Sequence, residues 1–128
     1  MAKLSKLSRS IEGRVAIITG AASGMGRATA YVFADAGARL ALIDRNAEGV
    51  AAVAEEVNAS GGSARPYIAD LADGAAIPEL VERIRAEVGP IDILVNNAGI
   101  SMPAPIEHEA WEKAWNLVLA VNLTAQAR

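Results

Sequence analysis

The stretch Val15-Ala-Ile-Ile-Thr-Gly-Ala-Ala-Ser-Gly-Met-Gly-Arg27 decides the fold of this chain. It opens with an apolar run rich in β-branched residues, which is typical of a buried strand. Gly20, Gly24 and Gly26 then form a loop, and the alanine-rich residues that follow favour a helix over residues 24–36. A strand, a glycine loop and a helix in this order predict a phosphate site. Glycine admits a ligand close to the backbone, and the first N–H groups of a helix attract an anion.

The glycines alone are a weak indication, since a glycine loop without a ligand is common. No Gly-Lys-Ser or Gly-Lys-Thr follows them, so a P-loop is excluded. An acidic residue, Asp44, lies 18 positions after Gly26. That offset is close to the roughly 20 residues expected of a carboxylate that binds a ribose at the end of the second strand.

The rest of the chain continues the alternation of strands and helices. We expect strands at Arg39–Asp44, 64–70 and 91–95, and helices at Ala47–Ala59, 73–88 and 106–128. Asp73 is expected to cap the third helix, and Pro66, which has no N–H to donate, places the third strand at an edge. The alternation predicts an α/β fold, a Rossmann-like doubly wound parallel sheet with right-handed crossovers.

Composition limits the class of protein. Hydrophobic residues make up 52% of the 128 residues, the net charge is −3 and there are no cysteines. One domain is expected, without a nucleic-acid surface, a disulfide framework or a membrane span, and a cytoplasmic location is the default. Because the first residues are polar and unpatterned, we expect a flexible tail at residues 1–13 and the domain at residues 14–128.

Polar or glycine-rich features follow each of the four predicted strands. They are the glycine loop, Asp44, Asp70 and Asn96-Asn97-Ala98-Gly99. Ligands of doubly wound sheets bind at this carboxyl edge. Each feature also has a structural interpretation, because Asp and Asn are common caps and turn residues.

Two motifs resemble the short-chain dehydrogenase/reductase family. The segment from Thr19 to Gly26 matches its Thr-Gly-x-x-x-Gly-x-Gly fingerprint, and residues 96–99 match its Asn-Asn-Ala-Gly motif. Asn122 resembles the asparagine of the family's active-site tetrad. The resemblance runs from about Gly13 to the last residue. It implies the strand order 3-2-1-4 and an NAD(P)-binding oxidoreductase that moves hydride between nicotinamide and an alcohol or carbonyl substrate.

The resemblance also implies roles for individual residues. The pyrophosphate side would be held by the glycine loop, the ribose hydroxyls by a carboxylate, the adenine by the end of the third strand, and the nicotinamide ribose by the Asn-Asn-Ala-Gly loop. In that order these are Gly20, Ser23, Gly24, Met25 and Gly26; Asp44; Asp70 and Leu71; and Asn97, Ala98 and Gly99.

The carboxylate of Asp44 favours NAD over NADP, because it would face the additional phosphate of NADP. Ser23, where NADP-dependent members often carry a basic residue, points the same way. Arg45 weakens the argument, since an arginine can pair with that phosphate.

The chain departs from the family at the catalytic residues. The family's relay uses Asn, Ser, Tyr and Lys, and the last two form a Tyr-x-x-x-Lys motif. Neither Tyr31 nor Tyr67 has a lysine four positions later, so Asn122 is the one tetrad member present. We expect an incomplete Rossmann domain that ends within the helix carrying Asn122 and is inactive alone. A non-catalytic dinucleotide-binding module and a self-associating truncated fragment stay as alternatives.

Three further expectations concern surfaces. Glu107-His108-Glu109 is not expected to bind a metal, because successive side chains diverge. Trp111 and Trp115, spaced i and i+4, are expected to pack rather than to form a stacking platform. Residues 91–95 would form an exposed apolar edge, so self-association through this strand or the last helix, and hence a homo-oligomer, is expected.

Overall fold

The structure, a computed structural model, describes residues 8–128 as parallel strands alternating with helices. The strands are β1 (Val15–Thr19), β2 (Arg39–Asp44), β3 (Ser63–Ile68) and β4 (Ile93–Val95). The α-helices are α1 (Gly24–Asp35), α2 (Ala47–Ala59), α3 (Ile77–Glu87) and α4 (Trp111–Asn122), followed by a 3₁₀ helix at Thr124–Ala127.

The sheet has the order β3-β2-β1-β4, and all neighbouring strands are parallel. In its register, Ile17 of β1 lies between Ala41 of β2 and Leu94 of β4. The predicted α/β class and strand order are therefore confirmed. Pro66 lies on β3, an edge strand, as its missing N–H predicts.

The core has one layer on each face of the sheet, because strand side chains alternate in direction. On one face Ile18 and Leu42 pack with residues of α1 and α2 such as Val53. On the other face Ile17 and Ile84 pack together, the latter from α3. Every residue of β1 is buried, as expected for a central strand of a parallel sheet covered on both faces.

Two boundaries differ from the sequence prediction. The third helix begins at Ile77 rather than at residue 73, and Asp73 does not cap it. A helix starting at 73 would place Pro78 where an N–H must donate to the preceding turn, whereas Pro78 is tolerated in the first turn of α3. The fourth strand is three residues long rather than five. The Asp92 carboxylate accepts the Val15 N–H at 3.0 Å. That N–H is therefore not available to a backbone carbonyl of the residues before β4.

The last helix is also shorter than predicted. Residues before Trp111 form turns, in which the N–H of Trp111 donates to the carbonyl of His108 at 2.9 Å. At the other end Leu123 has φ −126° and ψ −60°, which breaks the α-helix. Asn122 is therefore the last residue of α4, and the expectation that the chain ends within this helix is wrong.

The predicted N-terminal tail, residues 1–13, falls only in part within the described residues. Residues 1–7 lie outside the described residues. Of the rest, Ile11 packs against the core on the α1 and α2 side, and the Gly13 N–H donates to the Gly37 carbonyl at 2.9 Å. Within residues 8–128, no helix has the length and apolar character needed to cross a membrane.

Candidate functional site

A cavity of about 400 Å³ opens where the four strands of the sheet end. Most of the predicted cofactor-binding residues line it: Gly20, Ser23, Met25, Asp44, Arg45, Asp70, Leu71, Asn97, Ala98 and Gly99. Sequence reasoning did not name four further lining residues, Ile43, Ala69, Ile100 and Val121. Each is a sequence neighbour of a predicted site residue, and that adjacency was the available indication.

Gly24 and Gly26 do not line the cavity, and the glycines have different structural reasons. A Cβ on Gly26 would lie 2.1 Å from the Gly20 carbonyl oxygen, and one on Gly20 would lie 2.8 Å from Asn97 Nδ2. These two positions therefore allow the loop to pack against itself and against Asn97. Gly24 has free space around it but adopts φ +56°, a conformation that other residues rarely take.

The first turn of α1 leaves its backbone donors without partners. Among residues 8–128, nothing accepts a hydrogen bond from the N–H groups of Gly24, Met25 or Gly26. Ser23 occupies the N-cap position without a capping bond from its side chain, and the first turn holds no acidic residue. The free donors and the helix dipole therefore suit an anion such as a pyrophosphate.

Asp44 joins the glycine loop to the start of α2. Its Oδ2 accepts the Ala22 N–H at 3.0 Å, and its Oδ1 accepts the Asn46 N–H at 2.9 Å. Each carboxylate oxygen has a further lone pair, so Asp44 can still accept from ribose hydroxyls. The carboxylate is thus held in a fixed orientation at the cavity wall.

Thr19 holds the two loops of the cavity together and is absent from the predicted site residues. Its hydroxyl accepts the N–H groups of Asn97 and Ala98 at 3.0 and 2.9 Å and donates to the Val95 carbonyl at 3.3 Å. Asn97 Nδ2 returns a bond to the Thr19 carbonyl at 3.0 Å. A buried threonine at the end of an apolar strand was the one indication in the sequence.

Asn122 uses its whole side-chain amide to bind the backbone of Ile100. Its Oδ1 accepts the Ile100 N–H at 2.8 Å, and its Nδ2 donates to the Ile100 carbonyl at 2.9 Å. Asn122 lines a second groove, between α4 and residues 100–104, rather than the cavity. In this structure Asn122 therefore positions the loop after β4.

Neither tyrosine lines the cavity. Tyr31 donates to Glu56 and accepts from Arg27 on the outer surface of α1 and α2. Tyr67, on β3, packs on the face of the sheet that α3 covers, and its hydroxyl donates to Glu87 at 2.8 Å. Burial, together with the Glu87 carboxylate, raises the pKa of Tyr67 to about 12. Both tyrosines therefore have structural partners away from the site.

Two surface features lie beyond the cavity. The rings of Trp111 and Trp115 stack with centroids 5.5 Å apart, and Trp115 stays 53% exposed beside the second groove. Within the part of the chain that the structure describes, no group of three or more His, Cys, Asp or Glu side chains could hold a metal ion.

The fold and this site define a class of protein. Residues 14–127 match the family model described as short chain dehydrogenase. The chain belongs to this family, the short-chain dehydrogenases/reductases, which are oxidoreductases. The resemblance drawn from the two motifs is therefore confirmed.

Individual relatives agree with this assignment. The chain is 43% identical over 114 residues to D-threitol dehydrogenase of Mycolicibacterium smegmatis. The matched region covers 89% of this chain and 44% of that protein. A metagenomic short-chain oxidoreductase in complex with NADP superposes with a TM-score of 0.84 and 37% identity, over 92% of this chain and 53% of that one. A Burkholderia phymatum short-chain dehydrogenase/reductase in complex with NAD superposes with a TM-score of 0.85 and 31% identity. That match covers 94% of this chain and 42% of the other chain. The chain thus spans about half the length of the relatives it matches.

Proposed function

We propose that this chain binds NAD in the cavity and belongs to an oxidoreductase that transfers hydride between nicotinamide and an alcohol or carbonyl substrate. One observation carries the proposal: the start of α1, with its free N–H groups, lines the same cavity as Asp44 and Asn97. A pyrophosphate requires donors and a ribose requires acceptors, and both are present. When bound, the nicotinamide supplies or accepts the hydride, so the residues of this chain bind and orient it.

Each part of the dinucleotide has candidate partners. The glycine loop from Gly20 to Gly26 holds the pyrophosphate, and Asp44 accepts from the adenosine ribose. Asp70 and Leu71 flank the adenine, and the segment from Asn97 to Gly99 lines the nicotinamide ribose. These roles are supported by the common lining of the cavity, to which the glycine loop contributes Gly20, Ser23 and Met25.

NAD is proposed over NADP because of Asp44. Two backbone N–H groups hold its carboxylate at the cavity, so a ribose phosphate placed there would meet a like charge that cannot easily turn away. Arg45 lines the same cavity and is the residue that would favour NADP. Of the two solved relatives described above, one is in complex with NADP and the other with NAD, so this pair does not decide between the two cofactors.

A calorimetric titration with NADH and, in parallel, NADPH tests both the site and the preference. We expect saturable NADH binding and at least about tenfold weaker NADPH binding. Asp44→Ala should weaken NADH binding and reduce the difference in affinity between NADH and NADPH. Asp73 lies in the turn after β3 and outside the cavity, so Asp73→Ala should change neither affinity. Equal affinities in the wild type would overturn the Asp44 argument, and no binding by a folded sample would overturn the site.

We propose that the 128-residue chain alone does not turn over. The absence of both tyrosines from the cavity lining supports this and equally supports a second function, a dinucleotide-binding module without chemistry. Incubation with NAD and a panel of secondary alcohols, followed by absorbance of the reduced nicotinamide, tests it. Sustained formation of NADH would contradict this proposal while leaving the binding site intact.

We also propose that two copies associate through β4. This strand hydrogen-bonds to β1 on one side, and Leu94 is 53% exposed, so an apolar sheet edge is open to pairing. Leu94→Lys should move the protein to a monomer in analytical ultracentrifugation. Val32→Lys, which changes a 65% exposed residue of α1, should leave the association unchanged. A wild-type monomer at all concentrations would contradict the proposal.

A further inference from the structure

Met25 combines two properties that rarely occur together in an apolar side chain. It is 79% exposed, the highest value among the exposed large hydrophobic residues of the described chain, and it lines the cavity. Its backbone belongs to the first turn of α1, where its own N–H has no acceptor in residues 8–128. Its carbonyl accepts the Thr29 hydroxyl at 2.7 Å. Reagents in the solvent can therefore reach the Met25 thioether, while the hydrogen bond from Thr29 holds its backbone in place.

A second exposed methionine provides an internal comparison. Met102 is 44% exposed and lines the groove beside α4 rather than the cavity. Susceptibility of methionine to oxidation follows exposure. Met25 should therefore react first, and only its reaction should affect a ligand in the cavity.

We propose that Met25 is a redox-sensitive site at which a hydroperoxide weakens dinucleotide binding; this inference rests on the proposed function. In the reaction with hydrogen peroxide, a sulfur lone pair attacks one peroxide oxygen. The S–O bond forms as the O–O bond breaks, and one water molecule leaves. Sulfur is oxidised by two electrons and the peroxide is reduced by two, giving a methionine sulfoxide that a sulfoxide reductase can reverse.

The sulfoxide acts against the ligand because of its position. Its oxygen carries partial negative charge and accepts hydrogen bonds, whereas the thioether of Met25 is apolar. The free N–H groups of Gly24 and Gly26 lie in the same turn. The sulfoxide oxygen competes for these donors with the pyrophosphate and repels it, so oxidation and cofactor binding oppose each other.

The test uses the full chain, treated with hydrogen peroxide and then desalted. Peptide mass spectrometry follows the oxidation of each methionine, and NADH titrations are made before and after treatment. Met25→Leu and Met102→Leu are matched variants, each compared with its own untreated sample. A further aliquot is oxidised in the presence of saturating NAD.

We expect Met25 to oxidise before Met102 and NAD to slow the oxidation of Met25 alone. Oxidation should weaken NADH binding by about tenfold in the wild type and in Met102→Leu but not in Met25→Leu. Sulfoxide reductase should restore the affinity. An unchanged NADH affinity after complete oxidation of Met25, or an equal loss in Met25→Leu, would overturn this inference alone. If the untreated protein does not bind NADH, the proposed function fails, and this inference fails with it.

Discussion

The helices α1 and α2 both begin just after a strand ends at the same edge of the sheet, yet their first turns differ. In α2 the Asn46 side chain accepts the Gly49 N–H at 3.0 Å, and Glu48 lies in the first turn. In α1 Ser23 makes no capping bond, and no acidic residue follows. A cap stabilises a helix by about 1 kcal/mol. A side chain of the protein itself thus caps α2, whereas the start of α1 has no such cap and is open to an anion.

Acidic residues show the same contrast across the molecule. Of the α-helices in residues 8–128, α2, α3 and α4 carry Glu48, Glu79 and Glu112 in their first turns. Only α1 has none. A carboxylate there would compete with a bound phosphate for the positive end of the dipole. The sequence thus places no acidic residue in the first turn of the helix whose start lines the cavity.

The largest expected effect comes from closing the space between the glycine loop and α1. Gly26→Ala would place a Cβ 2.1 Å from the Gly20 carbonyl oxygen, which belongs to the backbone and cannot move away cheaply. We expect a loss of about 2–3 kcal/mol in the free energy of unfolding and loss of NADH binding.

The matched change at α2 is Gly49→Ala. There a Cβ would lie 2.8 Å from Asn46 Nδ2 and 2.9 Å from the Ala22 Cβ, and neither of these atoms belongs to the backbone. Urea denaturation of both variants should show the larger loss at Gly26. Equal losses would contradict the difference that we draw between the two loops.

The second effect is a pH dependence of the free energy of unfolding, and it comes from Tyr67, which lies at neither helix start. The folded state holds the pKa of Tyr67 at about 12, above its usual value of about 10. The neutral form is therefore favoured on folding, and its stabilisation is complete below pH 10 and lost as the pH rises towards 12. The loss should be on the order of 2 kcal/mol.

Tyr67→Phe should lack this decline in urea melts made across that range of pH. NADH affinity near neutral pH should not change, since Tyr67 lies outside the cavity. A pH dependence that persists in the variant would assign it to another group.

Ser23→Asp converts the start of α1 into one that resembles α2. The new carboxylate can cap the helix, so the free energy of unfolding should rise by about 1 kcal/mol. NADH affinity should fall by about tenfold, because the same donors are then occupied by a negative charge. Ser23→Asn, a neutral cap, should lose less affinity. Stronger NADH binding by the aspartate variant would contradict a pyrophosphate site here.

The smallest effect is expected from removing the cap of α2. Asn46→Ala deletes the bond to the Gly49 N–H and should lower the free energy of unfolding by about 1 kcal/mol. The backbone N–H of residue 46 still donates to Asp44, so NADH affinity should be retained. A large loss of NADH affinity would show that the two helix starts are coupled through Asp44.

Local sequence predicted the elements whose ends are marked by local chemistry. β2 and α2 have the predicted bounds, since Asp44 closes the strand and Asn46 and the Ser60-Gly61-Gly62 turn bound the helix. The end of α4 was not predictable in this way. No glycine or proline follows Pro105, and the break follows Asn122, whose side chain is held by Ile100, 22 residues away.

The candidate site divides along the same line. Most of the lining residues could be named because they follow strand ends, and the topology of a parallel sheet brings strand ends together. The role of Thr19 could not, because its hydroxyl bonds join it to residues 78 and 79 positions later in the chain. Such contacts depend on register and packing, which no single stretch of sequence contains.

The most direct test of the central claim is an amide chemical-shift titration of the ¹⁵N-labelled chain with NAD. If a pyrophosphate occupies the open start of α1, the amides of Gly24, Met25 and Gly26 should move together and saturate. The amide of Gly49, already bound to Asn46, should move little. Saturating shifts at α2 with none at α1, or no shifts from a folded sample, would contradict the account.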